Sequence, residues 1–478
     1  MRATFFGLEI GKTGLSTAQF GLDTTGHNIA NVDTAGYTRQ RIVQTAIDPF
    51  ATIGKFAPMG QGLVGGGTRV QILDQIRSAY LDRRFRTEST NHEYWSTRSQ
   101  SLSYIRSFFD NVNEKTSINY SLAEFFKSMK IFSEDPVSGA PRTLMQTAAM
   151  DLVQQINMIQ SGLIDLQRNE NRVIETKVAE INRIAEGIAD LNTAIYGFEI
   201  TGMIANDLRD KRQLLVDQLA EFVDIEYRDI PEFDKEGNPL NASIFEIKVA
   251  GVTLVHHDYT NELRVREIAN NIPGEEPVFD VFWFGGDNNR PLDGESLSWN
   301  SLTGGQLKAH RDVRDGMGQS SNSIDRGIPY YVEMMNNLAR ALVSEINEVH
   351  RQGWSNHPNG SETGINFFHE DSTWFNFVDT SGSITLEWSA EYNRWQNFDG
   401  SLWIQETPTG FIDQSGNDAS GFNQVLDLSK ITARNIRLDQ RIIDNAFNIA
   451  ASSERIGRAG EGDSEELQAG NNENINRL

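Results

Sequence analysis

The chain of 478 residues contains no cysteine. That excludes a disulfide framework, thiolate zinc sites and cysteine nucleophiles. Positive charge is scarce: 43 Lys and Arg stand against 66 Asp and Glu, a formal net charge of -23. Such a field repels phosphate backbones and anionic headgroups, so neither nucleic acid nor a membrane is an expected partner. No apolar run approaches the ~18 residues of a membrane-spanning helix. The opening Met1-Arg2-Ala3-Thr4-Phe5-Phe6-Gly7 has neither the apolar stretch nor the small-residue cleavage site of a secretory signal. By ordinary routes the protein stays in the cytoplasm, and export without a cleaved signal is the one alternative. The length exceeds what one core supports, and roughly two to four domains are expected.

What the chain does have is a pattern at its start. Leu8, Leu15, Leu22 and Ile29 fall seven residues apart, with Thr4, Gly11, Ala18 and Thr25 between them. A large apolar residue every seven, alternating with small ones, suits a helix that lies close against other helices. The same stretch carries Gly7, Gly11, Gly14, Gly21 and Gly26, each costing roughly 1 kcal/mol of helix stability against Ala. A short helix is already marginal alone. The expectation is a segment that frays in isolation and becomes helical when partners surround it, as in an assembly subunit.

Residues 48–67 are rich in Gly and interrupted by Pro, an extended loop or hairpin that 70–72 closes as a short strand. Helical spacing runs from about 76 to 109 and again over 117–132, where Asp135-Pro136 stops it. From 142 to 195 an apolar face through Ile156, Ile159, Leu163, Ile181, Ile184 and Ile188 predicts one rod-like helix in an antiparallel bundle. A shorter helix returns over 208–223. At Tyr227 the texture changes: 244–249 alternates and 251–255 follows after a turn, which predicts a hairpin, with a further strand over 278–284. Helical spacing resumes at 323 and runs to 350. Between Trp354 and Trp403 lie five of the eight tryptophans, in segments that alternate. These aromatics would either stack on sugars or fill the core of a small sandwich, and core filling is the simpler reading.

The predicted fold class is α+β multidomain: an elongated antiparallel helical bundle with inserted β-rich domains and an N-terminal assembly helix. Its blocks are an assembly helix with its signature (1–47), an extended loop or hairpin (48–75), the long-helix bundle (76–228) and a β-rich insertion (229–304). A returning bundle helix (305–353), a second β-rich module (354–430) and a C-terminal segment (431–478) follow.

Candidate chemistry is thin. Gly11-Lys12-Thr13 ends like a phosphate-binding loop, but position 6 is Phe where the motif needs Gly, and no strand precedes it. His256-His257 would point to opposite faces of a strand and so not share a metal, and no HExxH arrangement exists. Gly65-Gly66-Gly67 is a turn or hinge. Carboxylates are plentiful, yet no spacing singles out an acid–base couple. No catalytic, metal-binding or cofactor-binding residue is assigned, and no cofactor is expected.

What remains is the run from Gly26 to Gln40, with Asn28, Asn31, Gly36 and Tyr37 at set offsets from the seam. The two Asn can satisfy backbone groups freed at a helix end, and Gly36 permits positive φ in a turn. This run resembles the N-terminal signature of flagellar axial proteins (rod, hook and hook-associated), whose usual form is Ala-Asn-x-x-Thr-Pro-Gly-Tyr. Asp135-Pro136, Ser138, Ala140 and Arg142, following Phe125-Phe126, are similar to a stretch of the flagellar hook-associated protein 1 family. So are Asn206-Asp207-Leu208-Arg209-Asp210-Lys211-Arg212-Gln213-Leu214-Leu215, Leu302-Thr303-Gly304-Gly305-Gln306-Leu307, Arg314-Asp315 and Ala433-Arg434-Asn435-Ile436-Arg437. The resemblance extends over nearly the whole chain, weakest over 229–300 and 355–425.

The resemblance implies a structural, non-enzymatic subunit that joins hook to filament, with an α-helical inner region and outward β domains. It implies export through the flagellar secretion channel to the extracellular flagellum, without a cleaved signal. Implied partners are copies of itself, the flagellar hook protein, a second hook-associated protein on the filament side and an export chaperone for the terminal region. Subunit assembly is assigned to Leu8, Leu15, Ala18, Leu22, Ile29, Asn28, Asn31, Gly36 and Tyr37. The alternatives are another axial protein, a hook or distal rod subunit, or a surface carbohydrate-binding or adhesive module. Two departures stand out. Ala35 occupies the signature's Pro position, so the turn loses a fixed φ. The family's long C-terminal partner helix is not part of this sequence, through truncation or loss; under truncation the seam Leu8, Leu15, Leu22 and Ile29 is expected to face solvent, and residues 1–40 to be poorly ordered or docked onto something non-native.

Overall fold

The structure, a computed structural model, describes residues 6–48, 65–110, 117–233, 239–287, 290–291, 294–319, 325–355, 362–369, 374–378, 385–389, 394–397, 402–407, 410–413, 418–420, 423–453 and 471–477. The protein is α+β and multidomain, with two compact units, each assembled from separated stretches of chain. One unit takes Met1–Ser99, Asn171–Asn270 and Glu275–Arg311; the other takes Gln100–Glu170, Asn271–Gly274 and Asp312–Leu478.

The first unit opens with helix α1 (Phe6–Ala30), followed by strands β1 (Gln40–Ala46) and β2 (Thr68–Gln75). These two pair antiparallel from Gln40↔Gln75 to Ala46↔Thr68, with a bulge at Val43/Gln44. The unit then takes the start of α2 (Ala79–Phe109) and, after α3 (Ile118–Glu134), the second half of α4 (Gly139–Glu199) and all of α5 (Asn206–Phe222). A four-stranded sheet follows in the order β3 (Ile225–Phe233), β4 (Pro239–Val249), β5 (Val252–His256), β6 (Tyr259–Thr260). Strands β7 (Glu262–Ile268) and β8 (Val278–Phe284) form a second pair, and β9 (Gly286–Asp287) with β10 (Arg290–Pro291) a third. Helix α6 (Gln306–Asp315) begins against this body. Strand alternation explains the core: Phe245, Ile247 and Val249 of β4 turn inward. They meet Ile181, Ile184 and Ile188 of α4, Val216 and Leu219 of α5, and Trp283 of β8.

The second unit holds the end of α2, α3, the first half of α4 and α7 (Ile328–Gln352). Ser117 caps α3 by accepting from the Tyr120 N–H, and Pro329 sits in the first turn of α7, where no amide hydrogen bond is lost. Short strands β11 (Trp354–Ser355) and β19 (Ala450–Ser452) pair. Between them lies a seven-stranded sheet from β12 (Phe375–Val378), β13 (Thr385–Ser389), β14 (Arg394–Asn397), β15 (Leu402–Thr407), β16 (Gly410–Asp413), β17 (Asp418–Ser420) and β18 (Asn423–Leu426), with β12 closing on β18. Two short helices, α8 (Gln440–Asp444) and α9 (Glu473–Arg477), complete it. Phe125 and Phe132 of α3, Leu152, Ile156, Ile159 and Leu163 of α4, and Val332 and Val343 of α7 close over Phe367 and Phe368.

Buried polar groups stitch this unit. Arg142 is fully enclosed and donates to the Pro136 carbonyl (2.7 Å) and the Ile449 carbonyl (2.6 Å), with Phe132 under its guanidinium at 4.6 Å. Desolvation pulls its pKa down to about 10. Asn347 accepts from the Phe367 and Phe368 amides and donates to the Phe368 carbonyl, and Arg314 forms a two-pronged pair with Asp315 at 2.6 and 2.7 Å.

The helices read from periodicity are present, α4 longer than expected by a few residues at each end. The differences from expectation include the following. β1 occupies residues assigned to the assembly-helix block, because its alternation is broken by the bulge. α6 is a helix of its own, ahead of the helical run expected from 323. The compact units also divide the 76–228 block between them. In the Trp-rich segment, Trp374 is buried in the core. The backbones of Trp388, Trp395 and Trp403 lie in register across three neighbouring strands, but their side chains lie outside what is described, as do residues 49–64 of the expected loop. His256 ends β5, and the His257 ring stacks edge-on against Tyr196 at 5.0 Å.

Candidate assembly surface

Helix α1 has two faces of different chemistry. Ile10, Gly14, Thr17, Gly21, Thr24 and Asn28 recur at steps of three and four, and all are partly or fully covered. They are covered by the β1–β2 hairpin. A methyl at Gly21 would stand 3.1 Å from Ile42 Cδ1, and Thr17 Oγ1 sits 2.9 Å from the Thr13 carbonyl and 3.4 Å from that of Thr68. Small side chains on this lane let a strand approach the helix closely. At 100° per residue, Leu15 lies about 200° from Thr17. The seam accordingly points away from the hairpin: Leu8 is 70%, Leu15 72%, Leu22 73% and Ile29 69% exposed, and Ala18 is exposed between them. Residues 6–30 are helical in the single chain, where glycine content predicts fraying. The hairpin is the reason, a local partner that the sequence reading did not include.

The remaining predicted residues form a turn stitched to this module. Asn28 uses its amide as a strand would use its backbone: Nδ2 donates to the Gln40 carbonyl (2.8 Å) and Oδ1 accepts from the Gln40 N–H (2.9 Å). The Tyr37 hydroxyl donates to Asn28 Oδ1 at 2.8 Å and lies 3.0 Å from His27 Nδ1. Asn31 Nδ2 donates to the His27 carbonyl at 3.0 Å, a second bond to an oxygen that also accepts the Asn31 N–H at 3.1 Å in the last turn of α1. Gly36 adopts φ +78°, and a side chain there would meet Leu214 Cβ at 3.1 Å. The nine predicted residues thus divide. Five are on the open seam, and Asn28, Asn31, Gly36 and Tyr37 are engaged within their own unit.

The turn rests on the first turns of α5. The Thr38 N–H donates to Asp210 Oδ2 at 2.9 Å, Gln75 Nε2 donates to Asp210 Oδ1 at 3.0 Å, and Gln40 Nε2 donates to Asp207 Oδ1 at 2.9 Å. Asn206 Nδ2 reaches back to the Leu73 carbonyl at 3.0 Å. Arg77 bonds Asp82 at 2.6 Å and lies 3.9 Å from Asp210. Burial raises the Asp210 carboxyl above its ordinary value, against the opposing pull of the Thr38 bonds and Arg77. Burial, then Asp207 and Asp210, raise the Tyr37 phenol. Sequence reasoning assigned no role to Asp207, Asp210 or Gln75. The one available signal was the family-like run beginning at Asn206, which proves to be the seat of the N-terminal signature. A second such run has a comparable role: Gly305, at φ +93°, comes so close to α5 that an added Cβ would lie 2.4 Å from the Phe222 carbonyl.

Comparison with known proteins bears on both parts. The family model for the flagellar hook-associated protein FlgK helical domain matches residues 102–368, and that for the flagella basal body rod protein matches residues 8–38, the span of α1 and its turn. The flagellar hook-associated protein 1 of Bacillus subtilis (strain 168) is 27% identical over 379 residues, covering 77% of this chain and 71% of its own length. The protein of that name from Salmonella typhimurium (strain LT2) is 30% identical over 216 residues, 45% of this chain and only 37% of its own. The solved structure of the flagellar hook junction protein FlgK from Burkholderia pseudomallei is similar with a TM-score of 0.50 at 16% identity, covering 78% of this chain and 66% of that one. At that identity the likeness is one of fold.

Proposed function

The chain belongs to the flagellar hook-associated protein FlgK family, and on that premise we propose the following division of labour. The protein is a structural subunit of the bacterial flagellum, at the junction of hook and filament. The open seam Leu8, Leu15, Leu22 and Ile29 is the face by which α1 packs in the tube. The neighbours are copies of itself, the hook protein on one side and a second hook-associated protein on the other. An export chaperone holds the terminal region before assembly, and export proceeds without a cleaved signal. The role is mechanical and involves no catalysis.

The observation that carries this reading is the exposure of four large apolar side chains along one helix face, each near 70%. Soluble monomers rarely leave a contiguous apolar stripe of that kind uncovered. Heterologous contacts between identical subunits build such faces into rings and helical tiers. A hook or distal rod assignment is less well supported: the rod-type match is confined to residues 8–38, while the hook-associated helical domain accounts for 102–368. The test is deletion of the gene, which should leave cells with hooks and no filaments. Normal filaments in that strain would overturn the reading.

A further inference from the structure

We infer that Asp210 is a positioning residue that fixes the direction in which α1 leaves the body of its unit. The inference rests on the assembly reading for its purpose but on geometry for its content. The small module of α1 and the β1–β2 hairpin is internally bonded through Asn28 and Gln40. Its base, the open end of the hairpin where Gln40 pairs with Gln75, is held on both sides by one turn of α5. On the β1 side Thr38 N–H donates to Asp210 Oδ2 and Gln40 Nε2 to Asp207 Oδ1. On the β2 side Gln75 Nε2 donates to Asp210 Oδ1 and, at 3.1 Å, to the Asn206 carbonyl. One carboxylate therefore bonds the lead-in to β1, at Thr38, with one oxygen and the last residue of β2, Gln75, with the other. Asp210 is only 5% exposed, so water does not compete freely for either oxygen.

The consequence follows from leverage. A helix of 25 residues is about 37 Å long, and a 10° swing at its base moves the far end by about 6 Å. An error of that size would displace Leu8 by more than the width of a side chain and break register with a neighbouring helix. The turn that resembles an assembly signature is then an intramolecular clasp, and the seam beyond it is what neighbours touch.

The absence of native cysteine makes a clean test available on the full chain. Spin labels at Lys12→Cys, exposed on α1, and Asp190→Cys, exposed on α4, report one distance by pulsed electron resonance. The parent should give a narrow distribution. Asp210→Ala should broaden it by several ångströms, while Asp210→Asn, which keeps one acceptor oxygen, should recover part of the narrowing. Circular dichroism and thermal unfolding on the same samples separate loss of direction from loss of fold. An unchanged width in a folded Asp210→Ala protein, or an equally broad parent, would sink the inference. Because the measurement is made on the unassembled protein, its outcome is independent of whether the deletion strain lacks filaments.

Discussion

Helices α1 and α4 carry the same kind of sequence signal and meet opposite fates. Each repeats large apolar residues on one face. In α4, Ile156 is 0% exposed, while in α1 Leu15 is 72% exposed. Their glycines differ in the same sense. An added methyl at Gly162 of α4 would lie 2.7 Å from Phe108 Cε1, whereas Gly7, Gly11, Gly14 and Gly26 of α1 have nothing within 4 Å. In α4 a missing side chain makes room for a neighbour already present. In α1 the space beside Gly7, Gly11 and Gly26 is empty in the single chain, while Gly21, on the lane under the hairpin, meets Ile42 Cδ1 at 3.1 Å. Periodicity thus identifies a stripe that must be covered, and says nothing about whether the cover comes from the same molecule.

Substitutions can sharpen this contrast. The largest effect belongs to the covered stripe: Ile156→Ala should lower unfolding stability by about 4 kcal/mol, since a fully buried aliphatic leaves a cavity. Chemical denaturation checks it, and a loss below about 1 kcal/mol would mean that the site collapses or is not closed. Acid comes next. His350 of α7 is fully buried, with Nδ1 2.7 Å from the Ile365 carbonyl and Nε2 accepting from the Ala450 N–H at 2.9 Å. Desolvation lowers its pKa from 6.5 to about 4. The unfolded chain therefore takes up a proton that the folded one refuses. Stability present above the unfolded value is lost as pH falls from 6.5 toward 4, by up to about 3 kcal/mol. Melting followed across that window should show the loss, and a His350→Gln protein should show a flatter profile.

Glycine gives a pair of opposite sign. Gly305→Ala should destabilise by about 2 kcal/mol, because φ is positive and the Phe222 carbonyl stands in the way. Gly11→Ala should instead favour α1 by up to about 1 kcal/mol, visible as added helicity by circular dichroism. Equal signs would show that the two environments were misjudged. The smallest change in stability is expected for Leu15→Ala, within about 0.5 kcal/mol of the parent. In cells, however, the same variant should fail to restore filaments to a deletion strain. A large stability loss there would place Leu15 in an intramolecular core.

Some of this was legible in the residues alone. The long period of α4, the stop at Asp135-Pro136 and the alternation of Phe245, Ile247 and Val249 each follow from spacing that a single element imposes. β1 was not legible, because its bulge breaks the alternation and its partner β2 begins more than 20 residues later. The seam residues could be named, but the small lane of Ile10, Gly14, Thr17 and Gly21 could not be given a partner. Arg142 illustrates the same limit. It could be matched to a family-like stretch, yet only packing shows that it bridges Pro136 to Ile449.

Composition and periodicity by themselves determined the absence of thiol chemistry, the acidic surface, the helical and strand segments, and a terminal helix with an apolar stripe. These depend on residue type and local spacing, which the chain carries wherever it folds. Tertiary structure alone decided that Asn28 bonds Gln40, that Asp210 receives both Thr38 and Gln75, and that the hairpin covers the small face of α1 while the leucines stay open. Those pairings join residues up to 172 positions apart. No local pattern encodes such a distance; it is set by which surfaces remain after each element has buried what it can.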